Sequence, residues 1–270
     1  MMLPIHQVIQ GDCVKGMESL DDQSIDFVFA DPPFNVGYRY DVYRDRMDDQ
    51  AYLDWSEEWM RQVFRVLKPH GAFWLAIGDK YAAELKVIAH RHVGFEMRHW
   101  VIWRYPNGQG FKHRLASTHT HLFDFVKDSS LAPFHLERVQ VSSSRHVVYK
   151  DKRALRPTKN PDDVWMLFPD QVALVASATD NVWDHSRVMG TYRERLGWHP
   201  CQMPEAILRR ILLLCTENGW TVLDPFVGSG TTLVVAKKLG RRGFGFELSA
   251  DYAKRAQARL DSTTVELINE

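Results

Sequence analysis

The feature that most constrains the fold is a glycine-containing loop that joins an apolar strand pattern to a helical pattern late in the chain. Residues 220–224 are predicted to form a strand and residues 231–239 a helix, joined by the loop Asp224-Pro225-Phe226-Val227-Gly228-Ser229-Gly230-Thr231-Thr232. Open α/β sheets bind ligands where a strand turns into a helix in this way. Glycine lets a ligand approach the backbone closely. The pattern therefore predicts an α/β fold with a ligand site at this loop.

An acidic residue ends the next predicted strand, 243–247. Glu247 lies near the offset of roughly 20 residues at which a carboxylate accepts hydrogen bonds from both hydroxyls of a ribose. A dinucleotide site requires a third glycine where Leu233 stands, because its helix packs closely against a pyrophosphate. A ligand with a ribose and no phosphate fits the sequence better. The alternative is a tight turn followed by an exposed acid at a strand end.

The first half of the chain alternates short apolar runs with amphipathic stretches, which is typical of a parallel sheet wrapped by helices. Apolar and aromatic residues recur at helical spacing over 52–67, which predicts a helix that ends before the helix-stop signal at 69–71. A second helix is predicted at 81–90. Further elements are predicted as strands at 6–10, 25–30, 72–77, 97–103 and 121–127 and as helices at 204–215 and 252–260. We expect a doubly wound, mostly parallel sheet with helices on both faces.

Periodicity decays between residues 128 and 182, where basic residues collect. We interpret this stretch as an inserted recognition region, which divides the chain into parts 1–127, 128–182 and 183–270. Lys plus Arg and Asp plus Glu are equal at 34 each, so a nucleic-acid surface has to be local. The candidate phosphate contacts are Arg138, Arg145, Lys150, Lys152, Arg153, Arg156 and Lys159, with Asp151 the only acid among them. The alternative is a solvated basic loop without a partner.

The predicted strand 25–30 runs directly into Asp31-Pro32-Pro33-Phe34, a combination suited to methylating an exocyclic amine of a base. The lone pair of that amine is delocalised into the ring, so attack on a sulfonium methyl requires acceptors for its N–H groups. Asp31 offers one oxygen and the carbonyl of Pro32 another, because two consecutive prolines hold the backbone extended. Phe34 offers a flat face for a base flipped out of the duplex. The alternative is a proline-rich turn.

Aromatic and basic residues alternate just after this turn. Tyr38, Tyr40 and Tyr43 are interleaved with Arg39 and Arg44. Aromatic rings stack on bases and arginines hold phosphates, so we predict DNA contacts from Tyr38, Arg39 and Arg44. A packed surface loop is the alternative.

The order of these motifs resembles the beta class of DNA amino-methyltransferases, over most of the chain. Asp31-Pro32-Pro33-Phe34 comes first, the basic insert second, and His199-Pro200-Cys201-Gln202-Met203-Pro204 leads to the glycine loop. The resemblance implies a Rossmann-like methyltransferase fold with S-adenosyl-L-methionine as cofactor and double-stranded DNA as substrate. It also implies that the catalytic and cofactor regions meet at adjacent strand ends of one sheet.

The resemblance extends the cofactor site to Asp12 and to the stretch around His199. The candidate cofactor-binding residues are Asp12, Asp31, His199, Pro200, Asp224, Phe226, Gly228, Gly230, Thr231, Thr232 and Glu247. The alternative for Asp12 is a cap on a helix at 14–20. Two positions depart from the class pattern, Met203 where Lys is usual and Thr120 where Glu is frequent, and neither is expected to touch the chemistry.

The residue before the two prolines bears on the target base. In the class that the chain resembles, Asp at this position is associated with adenine and Ser with cytosine. We therefore predict transfer to N6 of a flipped adenine in duplex DNA, with cytosine N4 as the alternative. Further alternatives are a catalytically inactive DNA-binding subunit and a methyltransferase acting on protein glutamine. The candidate protein partners are a second copy of the chain, in a homodimer, and a cognate restriction endonuclease.

Membrane and metal sites are not expected. No stretch reaches the roughly 18 apolar residues of a membrane span, so we expect a cytoplasmic protein. His119 with His121, and His90 with His92, lack a third ligand at a usual spacing.

Overall fold

A mixed eight-stranded sheet forms the centre of the protein in a computed structural model, which describes residues 3–109, 112–113, 115–147, 149–165, 188 and 193–266. The strands in the described ranges are β1 Gln7–Gln10, β2 Ile25–Ala30, β3 Leu67–Ile77, β4 Glu96–Gln109, β5 Ser117–Val126, β6 Val141–Ser142, β7 Thr158–Lys159, β8 Val164–Trp165, β9 Thr221–Asp224 and β10 Arg242–Glu247. The sheet has the order β1-β10-β9-β2-β3-β5-β4-β8. Neighbours from β1 to β3 are parallel, whereas β5 is antiparallel to both β3 and β4.

Helices cover both faces of this sheet. The α-helices in the described ranges are α1 Cys13–Glu18, α2 Asp49–Val66, α3 Ala82–Val87, α4 Ser144–Val147, α5 Glu205–Cys215, α6 Thr231–Lys238 and α7 Ala250–Asp261, of which the short α4 lies in the insert. Alternate residues of β2 enter different cores: Val28 and Ala30 pack with α1, α2 and α3, and Phe27 and Phe29 pack with α5 and α6. All six residues of β2 are buried, as expected of a parallel strand covered on both faces. The predicted doubly wound, mostly parallel fold is confirmed.

The direction in which successive strands are added to the sheet reverses between β9 and β2. From β9 the chain passes through α6 to β10 on one side, and from β2 it passes through α2 to β3 on the other. The two strands are paired in parallel with Val28 opposite Leu223, so their carboxyl ends lie side by side. This is the switch point at which an open α/β sheet forms a crevice.

The structure differs from the sequence prediction at β3 and at the β4–β5 pair. Strand β3 begins at Leu67 rather than 72, because Leu67 pairs with Ile25 and the stop signal 69–71 lies within the strand. A β carbon on Gly71 would lie 3.0 Å from the carbonyl oxygen of Asp26, so the strands approach closely there. Strands β4 and β5 extend beyond their predicted ends through polar residues that apolar periodicity does not detect.

The described part of the insert contains a small sheet of β6 and β7, and β8 returns to pair in parallel with β4. Residues 166–182, and with them the predicted boundary at 182, lie outside the described residues, so the division of the chain stays a prediction. Within the described ranges, no helix is both long enough and apolar enough to cross a bilayer.

Candidate active site

A cavity of about 450 Å³ opens at the carboxyl ends of β9, β2 and β10. It brings together all four residues of the predicted catalytic turn and ten of the eleven predicted cofactor residues. Those lining it are Asp12, Asp31, Pro32, Pro33, Phe34, His199, Pro200, Asp224, Phe226, Gly228, Thr231, Thr232 and Glu247. Gly230 does not line it and instead forms the amino-terminal cap of α6. The two motifs, almost 200 residues apart in the chain, thus share one cavity.

Helix α2 holds the predicted catalytic turn in place. The Tyr52 hydroxyl donates a hydrogen bond to the Pro33 carbonyl at 2.7 Å, and the Tyr52 side chain is fully buried. In the described part of the chain, no hydrogen bond occupies the neighbouring carbonyl of Pro32. The Phe34 ring lies against Gly78, where an added β carbon would meet it at 3.1 Å. Asp31 and the Pro32 carbonyl are therefore held beside each other at the cavity.

Two glycines of the loop have a left-handed backbone conformation. Gly228 and Gly230 have φ values of +49° and +79°, in the region that disfavours other residues. A β carbon on Gly228 would lie 2.9 Å from Nε2 of His199, and one on Gly230 would lie 3.1 Å from the Ala256 side chain. Both glycines are therefore required by conformation and by close packing.

Glu247 and Asp224 place two acids beneath this loop. Glu247 accepts hydrogen bonds from the amides of Gly228 at 2.8 Å and Ser249 at 2.9 Å, one on each carboxylate oxygen. Asp224 accepts from the amide of Phe226 at 2.9 Å. Burial raises the pKa of Asp224 from 3.8 to about 7 and also raises the pKa of Glu247.

The arrangement fits a ligand that carries a ribose. An ionised carboxylate has about four lone-pair positions, and the amides of Gly228, Leu248 and Ser249 occupy three of those on Glu247. One position is left to accept from a ribose hydroxyl. Asp12, the other predicted acid, lines the cavity and also caps α1 by accepting from the Lys15 amide at 3.1 Å. Both interpretations of Asp12 therefore have structural support.

His199 covers the glycine loop as a neutral ring. Burial lowers its pKa to about 4. Its ring packs against Tyr252 at a centroid distance of 4.9 Å and lies 6.3 Å from the Tyr40 ring. An uncharged imidazole therefore closes one wall of the cavity.

The loop after the catalytic turn folds over the cavity around one buried carboxylate. Asp45 accepts from the amides of Asn35 at 2.7 Å and of Val36 and Tyr38 at 3.0 Å. Asp41 accepts a 2.6 Å hydrogen bond from the Ser249 hydroxyl, which links this loop to the end of β10. The loop is thus tied to the strand that carries Glu247.

Sequence reasoning missed several residues that line the cavity. They include Asp41, Thr120, Ser249 and Tyr252. Thr120 and Met203, the two positions that depart from the class pattern, both line the cavity and help to shape it. A usable signal existed only for Ser249, which caps α7 two residues after the strand-end acid.

The predicted phosphate-binding residues of the insert fall into two groups. Arg138 is bound to Glu217, Arg145 and Arg153 to Asp151, and Lys159 to Asp162. In the described ranges, Lys150, Lys152 and Arg156 form no ion pair and are exposed. Tyr38, Arg39 and Arg44 are exposed on the loop over the cavity. The free positive charge of the insert is therefore concentrated in three residues.

Folding brings Asp79 to the two histidines for which the sequence offered no third partner. Its Oδ1 lies 3.0 Å from Nε2 of His119 and 2.9 Å from Nε2 of His121. Trp100 donates to Nδ1 of His121 at 3.0 Å, so the proton of a neutral His121 sits on Nε2 and points at Asp79. A metal at Nε2 of His121 would need that nitrogen unprotonated, so the geometry of His121 favours a hydrogen bond to Asp79.

Comparison with known proteins identifies the relatives of this chain. A family model described as DNA methylase matches residues 25–258. The Type II methyltransferase M.HpaI of Haemophilus parainfluenzae is 32% identical over 256 residues, which are 95% of this chain and 74% of the relative. The DNA adenine methyltransferase YhdJ of Escherichia coli is 30% identical over 258 residues, which are 94% of this chain and 82% of the relative.

A solved structure supports the fold. The crystal structure of the M1.HpyAVI–SAM complex superposes with a TM-score of 0.61 at 19% identity, and the match covers 94% of this chain and 98% of that chain.

Proposed function

This chain belongs to the DNA methylase family whose members act on N6 of adenine or N4 of cytosine, and we propose that it methylates N6 of adenine in duplex DNA. The single observation that carries the proposal is the shared cavity: Asp31 and Gly228, from the two motifs, both line it. The Asp before the two prolines favours adenine, and so does the likeness to an adenine methyltransferase of Escherichia coli.

S-adenosylmethionine supplies the methyl group, and its carbon–sulfur bond breaks as a carbon–nitrogen bond forms at the base. The residues of the chain prepare the amine for this step. The Asp31 carboxylate and the Pro32 carbonyl each accept a hydrogen bond from the target amine. These two hydrogen bonds draw the nitrogen lone pair out of conjugation with the ring. The positive charge that develops on nitrogen is stabilised by the same two oxygens until the amine loses a proton. Tyr52 holds the Pro33 carbonyl by a hydrogen bond and thereby keeps the two acceptors in position.

The neighbouring residues shape the cavity for cofactor and base. Glu247 accepts from the cofactor ribose, and the glycine loop under His199 admits the cofactor to close backbone contact. Trp103 and Thr120 pair across β4 and β5 and face the cavity beyond the catalytic turn, where a flipped base has to enter.

DNA is held by exposed cations on two surfaces. Lys150, Lys152 and Arg156 of the insert contact phosphates, and Arg39 and Arg44 on the loop over the cavity contact the strand near the extruded base. The family resemblance also predicts a homodimer and a cognate restriction endonuclease as partners. Size-exclusion chromatography with light scattering tests for the homodimer.

The direct test is incubation of the protein with S-adenosylmethionine and unmethylated DNA, followed by digestion to nucleosides and mass spectrometry. We expect N6-methyldeoxyadenosine. N4-methyldeoxycytidine would replace the adenine assignment with cytosine. DNA binding without any methylated nucleoside would favour an inactive subunit, and methylation of a protein glutamine alone would place the chain in a different class.

Asp31→Ala separates chemistry from cofactor binding. The variant loses one of the two amine acceptors, so we expect transfer to fall by at least about a hundredfold, while calorimetry gives nearly unchanged affinity for S-adenosylmethionine. A variant that retains full transfer would refute the role of Asp31.

A further inference from the structure

Tyr40 occupies the junction between the two halves of the cavity. Its ring lies 6.3 Å from that of His199, which in turn sits on Gly228 of the cofactor loop. Its hydroxyl contacts the Cys201 thiol, and the charge of Asp31 contributes to raising its pKa. Tyr40 therefore shares the cavity with both motifs, although it comes from neither.

The neighbouring tyrosines of the same loop are placed differently. Tyr38 is 47% exposed and its ring lies 5.7 Å from that of Tyr40, towards solvent. Tyr40 is turned inward, because Asp45 organises the start of the loop and Asp41 binds Ser249 directly after it. Tyr38, Tyr40 and Tyr43 all line the cavity, and Tyr40 is the one whose ring neighbours His199.

Tyr40 lines the cavity that is proposed to hold both the cofactor and the target amine. In the proposed function, on which this inference rests, the methyl group travels from a sulfonium bound at the glycine loop to an amine bound at Asp31. A sulfonium in this cavity carries a full positive charge in partly enclosed surroundings. Aromatic faces attract cations, and more strongly where water is excluded.

We propose that Tyr40 recognises the sulfonium charge of the cofactor through its aromatic ring and thereby discriminates substrate cofactor from demethylated product. The demethylated form, S-adenosylhomocysteine, carries a neutral thioether and gains nothing from a cation–π contact. Burial raises the pKa of the Tyr40 hydroxyl, so the ring remains a neutral phenol. Its contribution is then that of a ring face and not of a phenolate.

The inference is tested with three proteins, the wild type, Tyr40→Phe and Tyr40→Leu, and two ligands, S-adenosylmethionine and S-adenosylhomocysteine. Calorimetry without DNA gives the affinity of each pair, and thermal melts establish that the variants fold. For Tyr40→Leu we expect the affinity for S-adenosylmethionine to fall about fivefold to thirtyfold, and that for S-adenosylhomocysteine to change by less than about twofold. Tyr40→Phe keeps the ring and should match the wild type for both ligands.

The outcomes separate this inference from the proposed function. An equal loss for both ligands in Tyr40→Leu would mean that Tyr40 only packs the loop, and would overturn the charge recognition. A loss in Tyr40→Phe as large as that in Tyr40→Leu would assign the effect to the hydroxyl and overturn it as well. Failure of the wild type to bind either ligand would overturn the proposed function itself.

Discussion

The amide of Gly228 donates a 2.8 Å hydrogen bond to Oε2 of Glu247, joining the glycine loop after β9 to the carboxyl end of β10. The same glycine has a φ of +49° and no room for a β carbon beneath His199. The loop that is proposed to bind the cofactor is therefore shaped by the acid that is proposed to bind its ribose, so this side chain would act on both the backbone and the ligand.

Glu247→Ala tests this double role. The variant removes the acceptor for two amides and for the ribose, so we expect the affinity for S-adenosylmethionine to fall by about 1–3 kcal/mol. Glu247→Gln keeps an acceptor oxygen and should lose less. Titration calorimetry measures both variants, with Asp31→Ala as the matched variant at the other side of the cavity. Equal affinities for Glu247→Ala and Asp31→Ala would refute the placement of the ribose.

Tyr52→Phe tests how the catalytic turn is positioned. The variant keeps the buried ring and removes only the hydroxyl that donates to the Pro33 carbonyl. We expect kcat to fall about tenfold or more, because small misplacements of acceptors slow transfer, with cofactor affinity unchanged. Steady-state kinetics and calorimetry provide the measurement. An unchanged kcat would mean that the two prolines alone fix the turn.

The sequence predicted the parts of the site that depend on local chain geometry. Asp31 follows an apolar strand and Gly228 lies in a strand-to-helix turn, so each motif carries its own structural context. The loop over the cavity could not be predicted, because Asp45 organises it by hydrogen bonds to the amides of residues 35–38, without any periodic pattern. Tyr40 was noticed only as one of several tyrosines, since its inward direction depends on that loop.

Contacts that form between distant strands were equally invisible. Asp79 meets His119 and His121 because β3 pairs with β5, with Ile77 opposite His121. The pattern of polar residues in β5 gave no indication of this pairing. Fold class and motif positions thus follow from local sequence, whereas partners across the sheet require the register.

Asp224→Asn tests the energetic effect of a buried acid. Burial raises the pKa of Asp224 from 3.8 to about 7, so between these values the folded protein binds more protons at this site than the unfolded chain. The contribution of this site to the free energy of unfolding should therefore fall as pH rises through this window. The variant, neutral at every pH, should exceed the wild type in stability at pH 8, by up to about 4 kcal/mol, and this advantage should vanish near pH 4. Urea unfolding at several pH values gives the difference; a difference that is constant with pH would contradict the assignment.

His199→Gln tests the opposite dependence. Burial lowers the pKa of His199 to about 4, so the unfolded chain binds a proton that the folded protein excludes between about pH 6.5 and 4. The stability that this site contributes is present above pH 6.5 and is lost as pH falls through that range. Relative to His199→Gln, the wild type should lose melting temperature between pH 7.5 and 5. Because Asp224 titrates in an overlapping range with the opposite sign, only the comparison of each variant with the wild type separates the two groups.

The exposed cations of the insert are predicted to contact DNA phosphates. Lys150, Lys152 and Arg156 are exposed and form no ion pair among the described residues, whereas Arg138 is held by Glu217. If all three contact phosphates, replacing them with Gln should reduce the slope of log affinity against log salt by about 2–3, since each contact contributes about 0.9. Fluorescence anisotropy with duplex DNA at several salt concentrations gives the slope. Arg242→Gln is the control. Arg242 is exposed at the amino end of β10, whereas the cavity lies at the carboxyl ends of the strands. An unchanged slope in the triple variant, or an equal loss in the control, would move the DNA surface away from the insert and leave the loop residues Arg39 and Arg44 as its remaining candidates.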